Sequence, residues 1–443
     1  MANTSTVRTL EIAVEGTFGS RDPATNLPAA TAFGSSVTIA PERASLAIPG
    51  ELAATPRDEG RDGYYLRPSE PATVLDGTGA LVHRRAGAFS FAMVVDLGGD
   101  FAGAGGGYDG AAIAMLLAAG MQDGSSPVLA ADYANVVSLA STANSFIGTG
   151  TGIFQIGDVI AADLEGRREY AIVTDVTVLA NDEVFFTPAF SRPITNVSAD
   201  VIRTCRTFSQ SKNAVGSSVA FALNGDGWRT ECYGCRWESL GVQVANQLAT
   251  FTWTFQCALI QDNHAAAAMV DPVRPRGQAV HSIPANSVLS VAVPQPNDAA
   301  PTSAPFKLAR AVDLDLESLE FTISNTLTPV GRGGDIYAMS EWEVTDQVVE
   351  VALTLSAPST ALADDFRDSV QRTLILAYGP NGAGNGMALV LPSAVLQSDP
   401  NLYDLSTNLV QQRLVYGQGR WAGDQFPGGS IASNTPVRIG LAH

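Results

Sequence analysis

Four cysteines are the residues of this 443-residue chain whose spacing most directly suggests chemistry. Cys232 and Cys235 form a Cys-x-x-Cys pair, which Cys205 and Cys257 flank in sequence. Four thiolates that include such a pair can hold a tetrahedral zinc ion. The surrounding sequence predicts a strand, however, and residues three apart in a regular strand point to opposite faces. We therefore expect the cysteines to be small core residues, with neither a metal nor a disulfide.

Residues 105–110 read GGGYDG, which is formally a G-x-G-x-x-G hexad between the predicted strand Ala88–Leu97 and the predicted helix Ala111–Met121. In dinucleotide-binding folds such a hexad places the pyrophosphate on a helix N-terminus. Here no strand–helix–strand alternation follows it, and a chain with 42 glycines will contain the pattern by chance. We expect no bound cofactor.

The residue types that dominate catalytic sites do not form a recognisable constellation. None of the four histidines lies near a nucleophile signature, and the G-x-S-x-G, H-E-x-x-H and G-x-x-x-x-G-K-[ST] motifs are absent. The histidines are His83, His264, His281 and His443. Many carboxylates are available for a glycosidase pair, but nothing selects two of them. We predict no catalytic residues and therefore no enzyme.

Charge narrows the possible functions further. The chain has 26 basic and 44 acidic residues, a formal charge of −18. Proteins that grip the nucleic-acid backbone need clustered Lys and Arg, so this balance argues against that class. No run of 18 apolar residues occurs, and the N-terminus has no basic region followed by an apolar core. We expect neither a membrane span nor a secretory signal.

The element that organises the chain is a predicted hairpin over 227–256. Phe251, Trp253 and Phe255 alternate with threonines, which is typical of a strand with one buried face. The other face carries uncharged hydroxyls and must meet water or a polar partner. The hairpin therefore reads as scaffolding.

Residues 125–202 differ in character from the rest. Ile153–Ile160, Glu169–Val178 and Glu183–Pro188 are short predicted strands separated by turn signals. Such spacing favours a small β-barrel or sandwich, inserted into a larger domain.

Around this insert, one order of elements occurs twice: strand, long arm, strand, helix, strand, turn, strand, strand. Val37–Ile48 and Asp313–Ser324 open the two copies, and Glu51–Thr78 and Thr326–Glu341 are their irregular arms. We predict a mainly β protein with two tandem β-sandwich/barrel domains, each with a flanking helix, and a small inserted β domain. The predicted segments are 1–124 (first domain), 125–202 (insert), 203–262 (first domain, continued), 263–304 (linker), 305–418 (second domain) and 419–443 (tail).

This order of elements resembles the tail tube proteins of long-tailed bacteriophages, in the longer form with a doubled tube fold. The resemblance covers both halves of the chain but not the insert, and the linker and the tail depart from it. The segments that carry it are Glu15–Gly19, Leu116–Gly120, Tyr233–Arg236, Ala249–Phe255, Leu316–Asn325 and Met387–Pro392.

The resemblance implies a structural virion protein. Its inner sheets would join those of neighbouring chains into a continuous barrel, and the rings would stack into a tube through which the genome passes without specific binding. Two tube folds per chain favour a trimeric, pseudo-sixfold ring, with a hexamer as the alternative. Other tail proteins would bind the tube ends, the arms would join stacked rings, and the protein would be assembled in the host cytoplasm and reside in the virion tail.

An acidic or neutral lumen would keep duplex DNA moving, whereas a basic one would bind it. We predict a lumen of net negative charge. The candidate wall residues are Thr250, Thr252, Thr254, Glu350 and Thr354, with Asp313, Asp315 and Glu317 as a second stripe. Each stripe could instead face bulk solvent on the outer surface. A carbohydrate-binding or adhesive β protein is the alternative function, followed by a glycan-acting enzyme.

Overall fold

The structure of the protein is a computed structural model. It describes residues 9–20, 22, 28–29, 32–39, 41, 43–47, 73–75, 81–83, 86–94, 108–123, 142–148, 154, 156–164, 167–177, 182–187, 189–190, 192–194, 201–209, 218–225, 228–245, 248–263, 288–292, 309–310, 316–331, 339–355, 366–367, 369, 371–378, 386–399, 403–404, 411–418 and 437–442.

Strands dominate the described residues, which include one α-helix of more than two residues. The elements before residue 145 are β1 (Thr9–Val14), β2 (Val37–Ile39), β3 (Arg43–Ala47), β4 (Thr73–Leu75), β5 (Leu81–His83), β6 (Gly87–Val94), α1 (Tyr108–Ala118) and β7 (Gln122–Asp123). Those of the insert are β8 (Ser145–Gly148), β9 (Val159–Leu164), β10 (Arg167–Thr177), β11 (Asp182–Thr187) and β12 (Val201–Thr204). Next come β13 (Arg206–Ser209), β14 (Val219–Gly225), β15 (Trp228–Ala245), β16 (Leu248–Cys257), β17 (Leu259–Asn263), β18 (Val288–Ala292) and β19 (Ala309–Arg310). The last are β20 (Leu316–Gly331), β21 (Met339–Leu355), β22 (Gln371–Tyr378), β23 (Gly386–Leu396), β24 (Tyr403–Asp404), β25 (Gln411–Gln418) and β26 (Arg438–Ala442). The predicted mainly β class is confirmed.

An antiparallel sheet of eight strands runs through both halves of the chain. Its order is β3-β6-β16-β15-β20-β21-β25-β24, and we call it the eight-strand sheet. The β15–β20 pairing joins the N-terminal half to the C-terminal half, with Gly241 opposite Thr322. The two halves are therefore connected by a hydrogen-bonded ladder as well as by the chain.

Two smaller sheets lie behind it. The N-terminal back sheet has the order β2-β1-β14-β15-β17, and the C-terminal back sheet has the order β19-β18-β22-β23-β26. Strand β15 belongs to two sheets. Its first part pairs within the N-terminal back sheet and its last part within the eight-strand sheet, and a bulge separates the two parts. Phe221 pairs with Cys232 and Val219 with Cys235, and Gly234 between them has φ +60°. Glycine tolerates that left-handed conformation, which lets the strand leave one sheet and enter the other.

The main core fills the space enclosed by these sheets. It includes Phe91, Phe221, Trp237 and Trp253 from the N-terminal half and continues into the C-terminal half, where Leu353 belongs to the same apolar cluster. Helix α1 contacts β1, β2 and β7. After the helix, the backbone at Gly120 lies so close to the Trp237 indole that no Cβ would fit there.

The insert forms a five-stranded antiparallel sheet with the order β12-β9-β10-β11-β8. One of its faces has its own core, in which Phe146, Phe154 and Phe186 pack together. The other face packs on β22, β23 and β26 of the C-terminal half. Described residues of the predicted insert thus form one sheet, and that sheet packs against β22, β23 and β26.

Three expectations about the remaining segments need comment. The expected irregular arm Thr326–Glu341 is wrong where it is described, because its ends belong to the long hairpin β20–β21. Most of Glu51–Thr78 and of the expected helix Leu362–Ser369 lies outside the described residues. The segment 419–443, expected to be a tail, contains the buried strand β26, which pairs with β23 and β13.

Candidate functional site: a polar sheet face

One face of the eight-strand sheet is lined by small and polar side chains. It arises from strict alternation: on β16, Phe251, Trp253 and Phe255 are buried while the threonines between them are not. We call this surface the polar face. Its described residues include Ser90, Ala92, Ser239, Gly241, Gln243, Thr250, Thr252, Thr254, Ser318, Glu320, Thr322, Ser324, Val348, Glu350, Ala352, Thr354, Arg413 and Val415.

Five of the predicted wall residues lie on this one face. The two groups were expected on separate copies of the fold, Thr250, Thr252 and Thr254 on one and Glu350 and Thr354 on the other. The register joins them, because Thr252 is opposite Gly241, which is opposite Thr322, which is opposite Glu350. At the usual strand spacing Thr252 and Glu350 are about 14 Å apart.

The second predicted stripe is not brought together. Asp313 and Asp315 lie outside the described residues. Glu317 lies in β20 at a register irregularity between Leu316 and Ser318. The role proposed for these three residues therefore stays a prediction.

Carboxylates outnumber cations among the described side chains of the polar face. Glu320 and Glu350 are exposed, and Glu238 at its edge accepts a hydrogen bond of 2.7 Å from Gln256 Nε2. Arg413 is the exposed cation on the described part of β25. Across the β15–β20 junction Gln243 Nε2 donates to Glu320 Oε1 at 3.0 Å. The described face is weakly acidic.

Sequence reasoning missed the contribution of β15 and β20 to this face. Glu320, Thr322 and Ser324 are exposed while Phe321 and Ile323 are buried. That alternation is present in LESLEFTISN and was available as a signal. The β15 positions were harder to find, since a bulge near Glu238 shifts the register between Trp237 and Ser239.

The far end of the β20–β21 hairpin packs on the N-terminal back sheet. Trp342 Nε1 donates to the Gly234 carbonyl at 3.0 Å, and Arg236 Nη1 donates to the Trp342 carbonyl at 2.6 Å. Burial there lowers the pKa of Arg236, an effect that the charge of Glu341 opposes. The described part of this arm thus contacts its own chain, whereas we expected contacts between stacked rings.

Glu15, in the Glu15–Gly19 segment, is a buried carboxylate that fixes the bulge. Its Oε2 accepts hydrogen bonds from the Gly19 N–H at 3.0 Å and from the Ser218 hydroxyl. Its Oε1 accepts from the Gly234 N–H at 3.0 Å and from the Ser20 hydroxyl at 3.2 Å. Burial raises the pKa of Glu15, against the effect of these bonds. Glu15 therefore has a structural role, connecting β1, β14 and β15.

The cysteines are buried core residues, as expected, but the expectation that Cys232 and Cys235 point to opposite faces is wrong. Because the bulge adds a residue, Cys232 and Cys235 both face the core, where the Cys257 thiol hydrogen-bonds to each. Burial raises the pKa of Cys235 to about 12 and that of Cys257 well above its usual value. Burial thus disfavours the thiolate form that metal binding requires. Among the described residues, no group of three or more His, Cys, Asp or Glu side chains is arranged to hold a metal ion.

Comparison with known proteins gives no family for the chain. No protein-family model matches it, and no curated protein sequence does. In the part of the chain that the structure describes, no helix has both the length and the apolar character needed to cross a bilayer. The argument for function therefore depends on the polar face and on the sheets that hold it.

Proposed function

We propose that the protein is a structural component of a phage tail tube, whose rings stack into a conduit for the genome. The observation that carries this proposal is the eight-strand sheet, which crosses both halves of the chain with one small, polar, weakly acidic face. Such a face suits a channel wall along which DNA slides, because it offers no cluster of cations to hold phosphates.

The strand pairings support a doubled fold. Seven antiparallel pairings in the N-terminal half have counterparts in the C-terminal half. The pairings β1–β2, β1–β14, β3–β6, β6–β16, β14–β15, β15–β16 and β15–β17 correspond to β18–β19, β18–β22, β20–β21, β21–β25, β22–β23, β23–β25 and β23–β26.

The correspondence extends to single residues at the bulge. In β14–β15, Phe221 pairs with Cys232 and Val219 with Cys235, so two residues of β15 lie opposite one of β14. In β22–β23, Leu374 pairs with Leu391 and Arg372 with Ala394, so two residues of β23 again lie opposite one of β22. We infer two tandem copies of one domain, the second of which includes β18 and β26 and so exceeds the predicted bounds 305–418.

A ring of three chains would supply twenty-four strands, eight from each. With a strand spacing of ~4.8 Å and a tilt of ~35–45°, such a barrel would be roughly 45–50 Å across between backbones. Side chains on the polar face would still leave room for duplex DNA. The trimer is the assembly we favour, with a hexamer as the alternative, and other tail proteins would close the tube ends in the virion.

The described tryptophans do not support a carbohydrate-binding site. Trp237 and Trp253 are fully buried, and Trp342 is half-buried against Gly234. A sugar-binding face needs exposed aromatic surface.

The mass of the assembled particle tests the proposal. The chain has a mass of 46.2 kDa, so a trimeric ring has three times that mass, about 139 kDa. Light scattering should give this mass or its multiples, and electron microscopy should show rings or tubes. A monodisperse monomer at high concentration, or binding of glycans with no assembly, would contradict it.

A second test asks whether the polar face lines the lumen. Thr252→Lys with Thr322→Lys places two cations on that face, and the assembled tubes should then retain DNA that wild-type tubes exclude. Thr252→Glu with Thr322→Glu is the matched control and should exclude it. DNA retained equally by both variants would place this face outside the conduit.

A further inference from the structure

Two strands at opposite ends of the eight-strand sheet each have one partner among the described residues. Strand β3 pairs with β6, and β24 pairs with β25. An edge of this kind exposes backbone N–H and C=O groups and is a template for another strand. Within the part of the chain that the structure describes, the sheet thus ends in two different open edges, one at each end.

The junction between the two halves shows how such edges can meet. At the centre of the sheet, the end of β15 pairs antiparallel with β20, with Val242 opposite Phe321 and Gln243 opposite Glu320. The Gln243–Glu320 hydrogen bond of 3.0 Å lies across this junction on the polar face. In the order of the eight-strand sheet, β15 is the last strand of the first copy and β20 is the first strand of the second copy, and these two strands pair here.

Strand β24 occupies in the second copy the place that the end of β15 occupies in the first. Val242 pairs with Phe251 on β16, and Tyr403 pairs with Gln412 on β25. Phe255 pairs with Trp237, and Tyr416 pairs with Leu396. Trp237 and Leu396 lie at the same distance after the shared bulge, so Phe255 and Tyr416 are equivalent. Phe251 and Gln412 each lie four residues before them and are therefore equivalent as well. Tyr403 is therefore equivalent to Val242, and Asp404 to Gln243.

Strand β3 occupies in the first copy the place of β20 in the second. Leu46 is opposite Phe89 on β6, and Phe321 is opposite Val351 on β21. Phe89 and Val351 are equivalent, since they are opposite Phe255 and Tyr416 respectively. It follows that Leu46 is equivalent to Phe321 and Ser45 to Glu320.

We propose that β24 of one chain pairs antiparallel with β3 of a second copy of the chain, with Tyr403 opposite Leu46 and Asp404 opposite Ser45. This inference rests on the proposed ring-forming function and adds its interface and register. The contact is head-to-tail, so each chain uses β24 towards one neighbour and β3 towards the other, and repetition closes a ring.

Cysteine pairs test the register. Directly opposite residues have Cβ atoms close enough for a disulfide, whereas a shift of one residue places the two side chains on opposite faces of the sheet. Ser45→Cys with Asp404→Cys, treated with oxidised glutathione, should convert the monomer band on a non-reducing gel into covalent trimer. Ala44→Cys with Asp404→Cys is the register control and should leave monomer.

An internal pair shows whether the chemistry works at such a junction. Gln243→Cys with Glu320→Cys should form a disulfide within each chain, which peptide mapping detects. Wild type under the same oxidant should form no covalent multimers, because Cys205, Cys232, Cys235 and Cys257 are all buried.

The outcomes separate this inference from the proposed function. Rings of normal mass in which Ser45→Cys/Asp404→Cys stays unlinked, while the internal pair links, would overturn the interface and leave the ring intact. Linkage of the two new cysteines within one chain would overturn it as well. A chain that stays monomeric in solution would overturn both.

Discussion

The two back sheets have equivalent strand orders, but the outward face of one is polar and that of the other is apolar. On the N-terminal back sheet, the side chains form a polar network. Arg229 lies 3.0 Å from Glu11 and 2.7 Å from Glu231, and its guanidinium lies 4.9 Å from the centre of the Phe33 ring. Glu11 and Glu231 are partly exposed, so this face is suited to water.

On the C-terminal back sheet, the equivalent positions are apolar. Ala388 takes the place of Arg229 and Val390 that of Glu231, counting from the shared bulge. They form one buried cluster with side chains of the insert, such as Val159. The insert thus branches from the first half of the chain and covers the second. In the proposed doubled fold, one strand pattern thus carries a polar network in one copy and packs against a covering sheet in the other.

We expect the largest loss of stability when a charged side chain of the polar back-sheet face is placed at the equivalent position of the apolar face. Val390→Glu introduces the Glu231 side chain at the equivalent covered position, where the carboxylate must be desolvated or protonated. We expect a loss of at least about 4 kcal/mol in the free energy of unfolding, measured by urea denaturation. The matched exchange Glu231→Val gives up only partly solvated contacts and should cost about 1 kcal/mol. Equal losses in the two variants would show that the insert does not seal the second face.

The next effect concerns an ion pair within the insert. Arg168 Nε lies 2.7 Å from Asp163 Oδ1 and Nη2 lies 3.0 Å from Oδ2, with both side chains buried. Burial alone would lower the pKa of Arg168, but the hydrogen bond and the charge of Asp163 raise it. Arg168→Met removes the bidentate cationic partner of a buried carboxylate and should cost about 3–4 kcal/mol in urea denaturation.

Arg229→Met is the matched control on the N-terminal back sheet. Arg229 is 10% exposed against 2% for Arg168, and its partners Glu11 and Glu231 are 13% and 12% exposed against 9% for Asp163. Water reaches this site more easily, so we expect a smaller loss of about 2 kcal/mol. If Arg168→Met were as mild as this control, the surroundings of Asp163 would have to admit water.

The bulge offers a third contrast between the copies. A Cβ at Gly234 would lie 2.8 Å from Phe18 Cζ and 2.9 Å from Ala258 Cβ, in a backbone conformation with φ +60°. Gly234→Ala should therefore cost about 2–3 kcal/mol. Ser393 takes the equivalent place in β23 and already has a Cβ, so Ser393→Ala should change the urea midpoint little. A neutral Gly234→Ala would mean that the bulge adapts to a side chain.

Much of the sheet architecture was predictable because its strands alternate. The alternation of β16 and the strand β6 were both expected from period-2 patterns. Segments with irregular registers were not. The bulge at Gly234 reverses the facing of Cys235 relative to a regular strand, and a sequence pattern alone does not reveal it.

Strand pairings between segments far apart in sequence were not predicted either. Nothing local in Arg438–Ala442 indicates a central strand, since its apolar character has meaning only between β13 and β23. For the same reason, the polar face was predicted only as separate stripes and not as one surface. Each stripe alternates within its own strand, but their union depends on the β15–β20 pairing, about 80 residues apart in sequence.

The smallest contrast is the three-thiol cluster, which the second copy lacks: Leu391 and Ala394 stand where the first copy has Cys232 and Cys235. Burial raises the pKa of Cys235 from 9.0 to about 12. Below the unfolded pKa both states are protonated, and the thiol's contribution to stability is fully present. As the pH rises above it, the unfolded chain loses a proton that the folded chain retains, so stability falls by ~1.4 kcal/mol per pH unit for this thiol.

Cys235→Ala introduces the residue found at the equivalent position 394 and removes this pH dependence. The difference between wild-type and variant urea midpoints should therefore shift in favour of the variant between about pH 8 and about pH 10.5, while titrating groups that do not interact with Cys235 cancel in the comparison. An unchanged difference over that range would mean that Cys235 ionises in the folded protein as easily as in the unfolded chain, and so that water reaches the core beneath the bulge.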